Sequence, residues 1–224
     1  LGYSELLQLL SEEDQGGFNE KANDEKNKAL ESIIRNADRL DKLATNILDA
    51  SRIDGNILVI NKQRFNLNEK IRDIVSDIVS QMGKKTRNNK NIRIAFESKA
   101  GAKEIYIEAD KIRVYQVISN LLNNAVKFTE DGNITITVDL NTNEREVVVK
   151  ITDTGTGIAT DILPKLFTKF ATGSSEGVGL GLFISKSIVE AHGGRIWAEN
   201  NKTRSNLKGQ KGATFAFSLP YLAS

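Results

Sequence analysis

The apolar positions change their period several times along the chain, and each change predicts an element. From Asn27 to about Ile53, the residues Leu30, Ile33, Ala37, Leu40, Ala44 and Ile47 recur at alternating steps of three and four, the a/d seam of a heptad repeat. Ile34, Leu43 and Leu48 widen that stripe beyond a two-stranded seam, as in a helix of a bundle. Leu6, Leu7, Leu9 and Leu10 open the chain in mid-pattern, so residues 1–10 are predicted to end a helix that begins further upstream. The polar stretch 11–25, with Gly16-Gly17, is predicted to be a loop. The expectation is a partial helical hairpin over residues 1–54, with Asp54-Gly55 as its punctuation.

Beyond residue 55 the texture changes. Asn56–Lys62 alternates like a strand, and Asn66 followed by Glu69 is the N-cap pattern of a helix carrying Leu67, Ile71, Ile74, Val75, Ile78, Val79 and Met82. Ile92–Phe96 and Ile105–Ile107 predict two strands, and Asp110 caps a helix running from Arg113 to Thr129. Asn133–Leu140 and Glu146–Thr152 predict a hairpin through Asn141-Thr142-Asn143. A glycine-rich turn at 153–157, a short helix around 161–166 and a small-residue polar loop at 171–178 follow. The chain then reads as a helix at Gly179–Ala191, a strand at Gly194–Glu199, a basic polar loop at 200–211 and a last strand at Ala213–Leu219. Residues 55–224 are therefore predicted to form one α+β domain, richer in strands than in helices.

Composition narrows the classes. With 31 basic and 29 acidic residues the net charge is 31 − 29 = +2, which gives no ground for nucleic-acid binding. There are no cysteines, so disulfides, thiolate zinc sites and cysteine nucleophiles are excluded. No apolar run has the length of a membrane span, and a cytoplasmic location is expected, with any membrane anchor of a longer protein lying in missing upstream regions.

Candidate chemistry begins on the helix from Arg113 to Thr129. Its apolar residues are Val114, Val117, Ile118, Leu121, Leu122 and Ala125, while Asn120, Asn124 and Lys127 recur at spacings of four and three and share one face. A merely solvated face would be better built from Glu, Lys and Gln, which favour the helix more. Asn offers a neutral carbonyl oxygen to a hard cation, and Lys offers a point charge to phosphate. Next, Asp153-Thr-Gly155-Thr-Gly157 follows a strand; its carboxylate can accept from an exocyclic amine while the glycines let a planar ring approach. The plain alternative is a turn held by an Asx-type bond. Gly177-Val-Gly179-Leu-Gly181-Leu182 runs into a helix, whose N-terminal N–H groups suit phosphate, though the spacing is neither a Walker A nor a Rossmann pattern and a flexible linker fits as well.

Taken in order, the Asn-bearing helix, Asp-x-Gly-x-Gly, Phe167-Thr-Lys-Phe170 and Gly-x-Gly-Leu-Gly-Leu resemble the catalytic and ATP-binding domain of sensor histidine kinases. The resemblance spans about residues 56–220, and the closing Gly212-Ala-Thr214-Phe-Ala-Phe-Ser-Leu219-Pro220 fits the family's final strand. It implies the two-layer α/β sandwich of the GHKL (Bergerat) type at 55–224, preceded at 1–54 by part of the dimerisation and phosphotransfer hairpin of a dimeric four-helix bundle. It implies ATP and Mg²⁺ as cofactors, with Asn124 as the metal ligand and Asn120 and Lys127 on the phosphates. Asp153 would take the adenine amine, Gly155 and Gly157 would admit the ring, and Thr214 would add a water-mediated adenine contact. Phe167 and Phe170 would anchor the start of an ATP lid, and Gly177, Gly179, Gly181 and Leu182 would close over the phosphates.

Two features depart from the pattern. Val178 stands where many relatives have Thr, and Ala171–Glu176 lacks Arg or Lys, so Lys169 or Lys165 must supply any lid cation. The single histidine, His192, lies in Ala-His-Gly-Gly after the glycine-run helix and is expected to be structural, capping a helix C-terminus. By the resemblance, the phospho-accepting histidine and its acidic neighbour lie upstream of Leu1. The implied activity is transfer of the ATP γ-phosphoryl group to that histidine for relay to a response-regulator receiver aspartate, in a homodimer. A non-kinase GHKL ATPase and a pseudokinase interaction module remain the alternatives.

Overall fold

The computed structural model describes residues 20–84, 91–98, 104–171, 178–201 and 212–221. The chain divides into two compact units, Leu1–Leu48 and Asp49–Ser224. In the first, the described part is helix α1 (Glu20–Asp54), whose last residues belong to the second unit. Helix α1 starts before Asn27, inside the segment expected to be loop. Glu20–Lys26 contains neither Gly nor Pro and is mostly helix-forming, so nothing within it interrupts the helix. The predicted helix at 1–10 lies outside the described residues. Leu30, Ile34, Leu40, Ile47 and Leu48 are all exposed along α1.

The second unit is built on a five-stranded sheet in the order β2-β4-β5-β7-β6. Its strands are β2 (Asn91–Ser98), β4 (Asp131–Asn141), β5 (Glu146–Asp153), β6 (Ile196–Asn200) and β7 (Ala213–Pro220). Only β2 and β4 run parallel; the other pairs are antiparallel, with Ile134 opposite Asp153 and Thr152 opposite Thr214. A separate two-stranded ladder joins β1 (Gln63–Asn66) to β3 (Tyr106–Ala109). The strand expected at 56–62 is absent: pairing begins only at Gln63, because β3 offers four residues and Gln63 already faces its last, Ala109.

Among the described residues three helices complete the layer: α2 (Leu67–Lys84), α3 (Lys111–Phe128) and α4 (Gly181–Ala191), and α4 packs on α3. Asn66 caps α2 by accepting from the N–H groups of Asn68 and Glu69 at 3.0 and 3.3 Å. Asp110 caps α3 through the N–H groups of Ile112 and Arg113, both at 3.1 Å. The apolar stripe Val114, Val117, Ile118, Leu121, Leu122 and Ala125 is buried in a core shared with Ile134, Ile136, Val138, Val149, Ile151 and Phe217 of the sheet. Each of these larger side chains contributes roughly 1.5–3 kcal/mol by leaving water. The short helix expected at 161–166 is a single 3₁₀ turn, Leu163–Lys165, opened by Pro164.

Candidate nucleotide site

Burying the apolar stripe of α3 fixes where its polar face points. The three asparagines near its middle have different fates. Asn120 donates from Nδ2 to Ser185 Oγ on α4 at 2.9 Å, so its Oδ1 faces Gly181, where a Cβ would come within 2.5 Å of it. Asn123 donates back to its own helix, to Ser119 O at 2.7 Å. The carboxamide of Asn124, half-buried, has no hydrogen bond among the described residues, which leaves its oxygen for an incoming group. Lys127 lies near the same end of the face, with Nζ 5.6 Å from the Phe128 ring centroid.

The end expected to take phosphate continues onto α4. Its N-cap, Leu180, makes no side-chain capping bond, so among the described residues the first-turn N–H groups and the positive end of the dipole have no side-chain cap and suit an anion. Gly179 has φ +72°, and a Cβ there would meet the backbone of Phe170 at 2.6 Å and of Ala171 at 2.8 Å. The two ends of the segment expected to be a lid therefore pack back to back. Gly177 and the rest of 172–177 lie outside the described residues. Phe170 itself is 66% exposed and left-handed, with φ +61°, whereas Phe167 and Leu182 pack partly buried against the core.

The end expected to take a base is the turn after β5. Asp153 is buried, and its Oδ1 accepts from Gly155 N at 2.9 Å and Ala213 N at 3.2 Å, leaving Oδ2 without a protein donor among the described residues. Burial pushes this carboxyl's pKa up, and the two N–H bonds only partly oppose the shift. A carboxylate so placed gains from a neutral donor such as an exocyclic amine. Gly157 is left-handed, with φ +75°.

Two expectations are corrected here, and one glycine acquires a reason that needs no ligand. Gly155 is required first by the protein itself: a Cβ would lie 2.2 Å from Phe128 O, because Thr156 N–H donates to that same carbonyl at 3.2 Å. Thr214 does not lie on the face of the Asp153 carboxyl. It pairs with Thr152, one residue before Asp153, and strand side chains alternate faces, so Thr214 shares a face with Thr152 and Ala213 is the residue beside Asp153. Lys169 is an ion-pair partner of Asp54 Oδ1 and stands 5.0 Å from the Phe183 ring centroid; it is held at the end of α1 rather than free for a lid.

His192 is buried at the C-cap of α4. Its Nε2 accepts from Asp110 N–H at 2.9 Å, and its Nδ1, 2.8 Å from Ile188 O, must carry the proton because a carbonyl only accepts. Burial lowers its pKa, outweighing the Ile188 bond and the Asp110 charge. Both ring nitrogens are thus committed to backbone partners at the C-cap of α4. Burial alone would raise the pKa of Asp110, yet bonds from the N–H groups of Asn61, Arg113 and Ile112, with the Arg113 charge, hold it lowered.

Sequence reasoning missed several supporting groups. Asp49, buried at the end of α1, lies 2.9 and 2.8 Å through its two oxygens from Arg113 Nη1 and accepts from Gln116 Nε2 at 2.9 Å. Arg113 and Gln116 precede Asn120 at helical spacing, so the Asp49 contact continues the Asn face. Ser185, Asn200 and Asn201 were also unseen; the Asn pair at a strand end was the only signal, and it reads merely as turn chemistry.

A sandwich with an acidic base-end turn, an Asn-lined helix face and an uncapped glycine-led helix defines a nucleotide-binding domain. Residues 109–223 match the family model of histidine kinase-, DNA gyrase B- and HSP90-like ATPases. The sensor protein KdpD of Clostridium acetobutylicum is 37% identical over 205 residues, covering 88% of this chain and 21% of its own length. The sensor protein ChvG of Agrobacterium fabrum is 32% identical, covering 89% of this chain and 34% of its own length. This chain thus spans only a fifth to a third of these curated relatives. The catalytic domain of histidine kinase ThkA superposes with a TM-score of 0.59 at 34% identity, over 71% of this chain and 95% of that one. ThkA in complex with response regulator protein TrrA matches with a TM-score of 0.65 at 27% identity, over 98% of this chain and 56% of that one. The chain belongs to the histidine kinase-, DNA gyrase B- and HSP90-like ATPase family and carries a catalytic domain of the histidine-kinase type. Among the described residues no helix is long and apolar enough to cross a membrane.

Proposed function

We propose that this chain is the ATP-binding catalytic portion of a sensor histidine kinase, residues 55–224 holding MgATP and residues 1–54 contributing to a dimeric helical hairpin. The observation that carries the reading is the Asn124 carboxamide, without a hydrogen bond among the described residues, on the α3 face that meets the N-terminus of α4. Among the described residues no cluster of three His, Cys, Asp or Glu side chains could hold a metal. A single neutral oxygen from Asn124 fits an ion that arrives with phosphate oxygens and water as its other ligands. Such an ion would supply charge compensation on the phosphoryl oxygens.

The protein's own part is positioning. The α4 N-terminus and Lys127 take phosphate charge, Asp153 Oδ2 takes the base amine, and Ser185 fixes Asn120. The acceptor is not His192, whose nitrogens are both bonded; a histidine outside this sequence accepts the phosphoryl group and passes it to a receiver-domain aspartate. ThkA's complex with a response regulator and the exposed apolar stripe of α1 support the receiver and dimer parts of this reading. With γ-labelled ATP and Mg²⁺, the chain is expected to bind nucleotide and remain unlabelled. Asn124→Ala is expected to abolish magnesium-dependent binding in calorimetry. Acid-labile label on His192, or unchanged affinity in Asn124→Ala, would refute the assignment.

A further inference from the structure

We propose that Asn200 and Asn201, at the end of β6, are positioning residues that clamp the base-binding turn 153–158 from the two faces of the sheet. This rests on the nucleotide reading above and names what holds its base end in register.

Asn200 lies opposite Ala213 in the ladder and so shares a face with it, the face of the Asp153 carboxyl. Its Oδ1 accepts from Ile158 N–H at 2.7 Å and its Nδ2 donates to Ile158 O at 2.8 Å. One side-chain amide thereby replaces the strand partner that the last residue of the turn lacks. Asn201, the next residue, donates from Nδ2 to Asp153 O at 2.8 Å and accepts at Oδ1 from Thr214 Oγ1 at 2.7 Å. The amide orientation is fixed by chemistry: Asp153 O can only accept, so Nδ2 must face it and Oδ1 must face Thr214. Thr214 has then spent its proton, so Thr152 donates across the 3.0 Å contact to Thr214.

Gly212 makes the approach feasible. It has φ +46°, and a Cβ there would lie 2.2 Å from Asp153 O and 2.5 Å from Asn201 Nδ2. Its N–H also donates to Gly155 O at 2.9 Å, and its carbonyl accepts from Asn201 N at 3.1 Å. The strand-end pair thus grips the first and last parts of the turn, and Gly212 N–H holds its middle at Gly155 O. The direction of Asp153 Oδ2 follows from that grip, since Oδ1 is fixed only by N–H groups of Gly155 and Ala213, which move with the turn and with β7. Neither asparagine bonds to Asn124, Lys127 or α4 in the described residues, so the clamp acts on the base end alone.

Asn200→Ala and Asn201→Ala in the full chain are each expected to weaken MgATP binding about tenfold in calorimetry, while affinity for magnesium tripolyphosphate stays within twofold. Asn200→Ser, which keeps a donor and acceptor, is expected to recover part of the loss. Should Asn200→Ala fail to fold, Thr214→Val, which removes only the hydroxyl on Asn201, is expected to show a smaller loss confined to ATP. Unchanged ATP affinity in these variants overturns the clamp, as does an equal loss for tripolyphosphate, which would mark a general structural role. If the unsubstituted chain binds tripolyphosphate but not ATP, the base-end reading fails and the clamp with it.

Discussion

Gly155→Ala separates two reasons for one glycine. If Gly155 exists only to admit a base, the alanine variant should fold as well as the parent and lose nucleotide. The geometry predicts otherwise. An added Cβ would lie 2.2 Å from Phe128 O and 2.8 Å from Phe128 C, both backbone atoms that cannot rotate away. Reaching ordinary contact requires the turn and the C-terminus of α3 to part by about 1 Å, which strains a packed core by about 1–3 kcal/mol. That separation also stretches the Thr156 N–Phe128 O bond, now 3.2 Å, and disturbs the Gly155 N–Asp153 Oδ1 bond, now 2.9 Å. Each lost bond adds about 1 kcal/mol. The expected destabilisation of the nucleotide-free protein is about 3 kcal/mol. With a urea m-value of about 2 kcal/mol/M, the unfolding midpoint should fall by about 1.5 M at unchanged m. Equilibrium urea unfolding followed by circular dichroism, without nucleotide, measures this. A midpoint shift below about 0.3 M would show that the Phe128 carbonyl yields easily and that the glycine serves the ligand after all.

Asp49→Ala should destabilise the chain by about 2–3 kcal/mol, below the usual cost of breaking a buried pair because the Arg113 side chain is 18% exposed, and the same urea titration checks it. Its double variant with Arg113→Ala should be less destabilised than the two single effects summed. Because the folded-state pKa of His192 is lowered, the unfolded chain binds a proton on it that the folded chain refuses. That contribution to stability is complete above the unfolded value of about 6.5 and is lost as pH falls from there toward the folded pKa, by up to about 1.4 kcal/mol per pH unit. His192→Gln should remove that slope between pH 7.5 and 5.5; an identical slope would discount the buried imidazole. Asp54→Asn, by releasing Lys169, is expected to tighten MgATP binding a few-fold, and an unchanged or weakened affinity would show that Lys169 has no reach toward phosphate.

The parts of the fold legible in the sequence were those where one residue type decides locally. Helix α3 and its cap followed from a 3.6-residue apolar period and Asp110, and the Asn face followed from burial of the opposite side. What escaped reading depended on partners distant in sequence. Asn200 meets Ile158, 42 positions away, and Asp49 meets Arg113, 64 away; neither local context marks them. Thr214 was misplaced because strand parity is invisible until the register is known. With Thr152 opposite Thr214, the residue beside Asp153 becomes Ala213, and a slip of one position would have reversed the two. The same parity explains why a polar strand-end pair can serve one turn from two sides. Consecutive residues point to opposite faces, so Asn200 reaches Ile158 on one face while Asn201 reaches Thr214 on the other, and both hold the backbone that carries Asp153. A single asparagine could bond one end of the turn but not both, which makes the adjacency of the two residues, rather than either amide alone, the structural requirement.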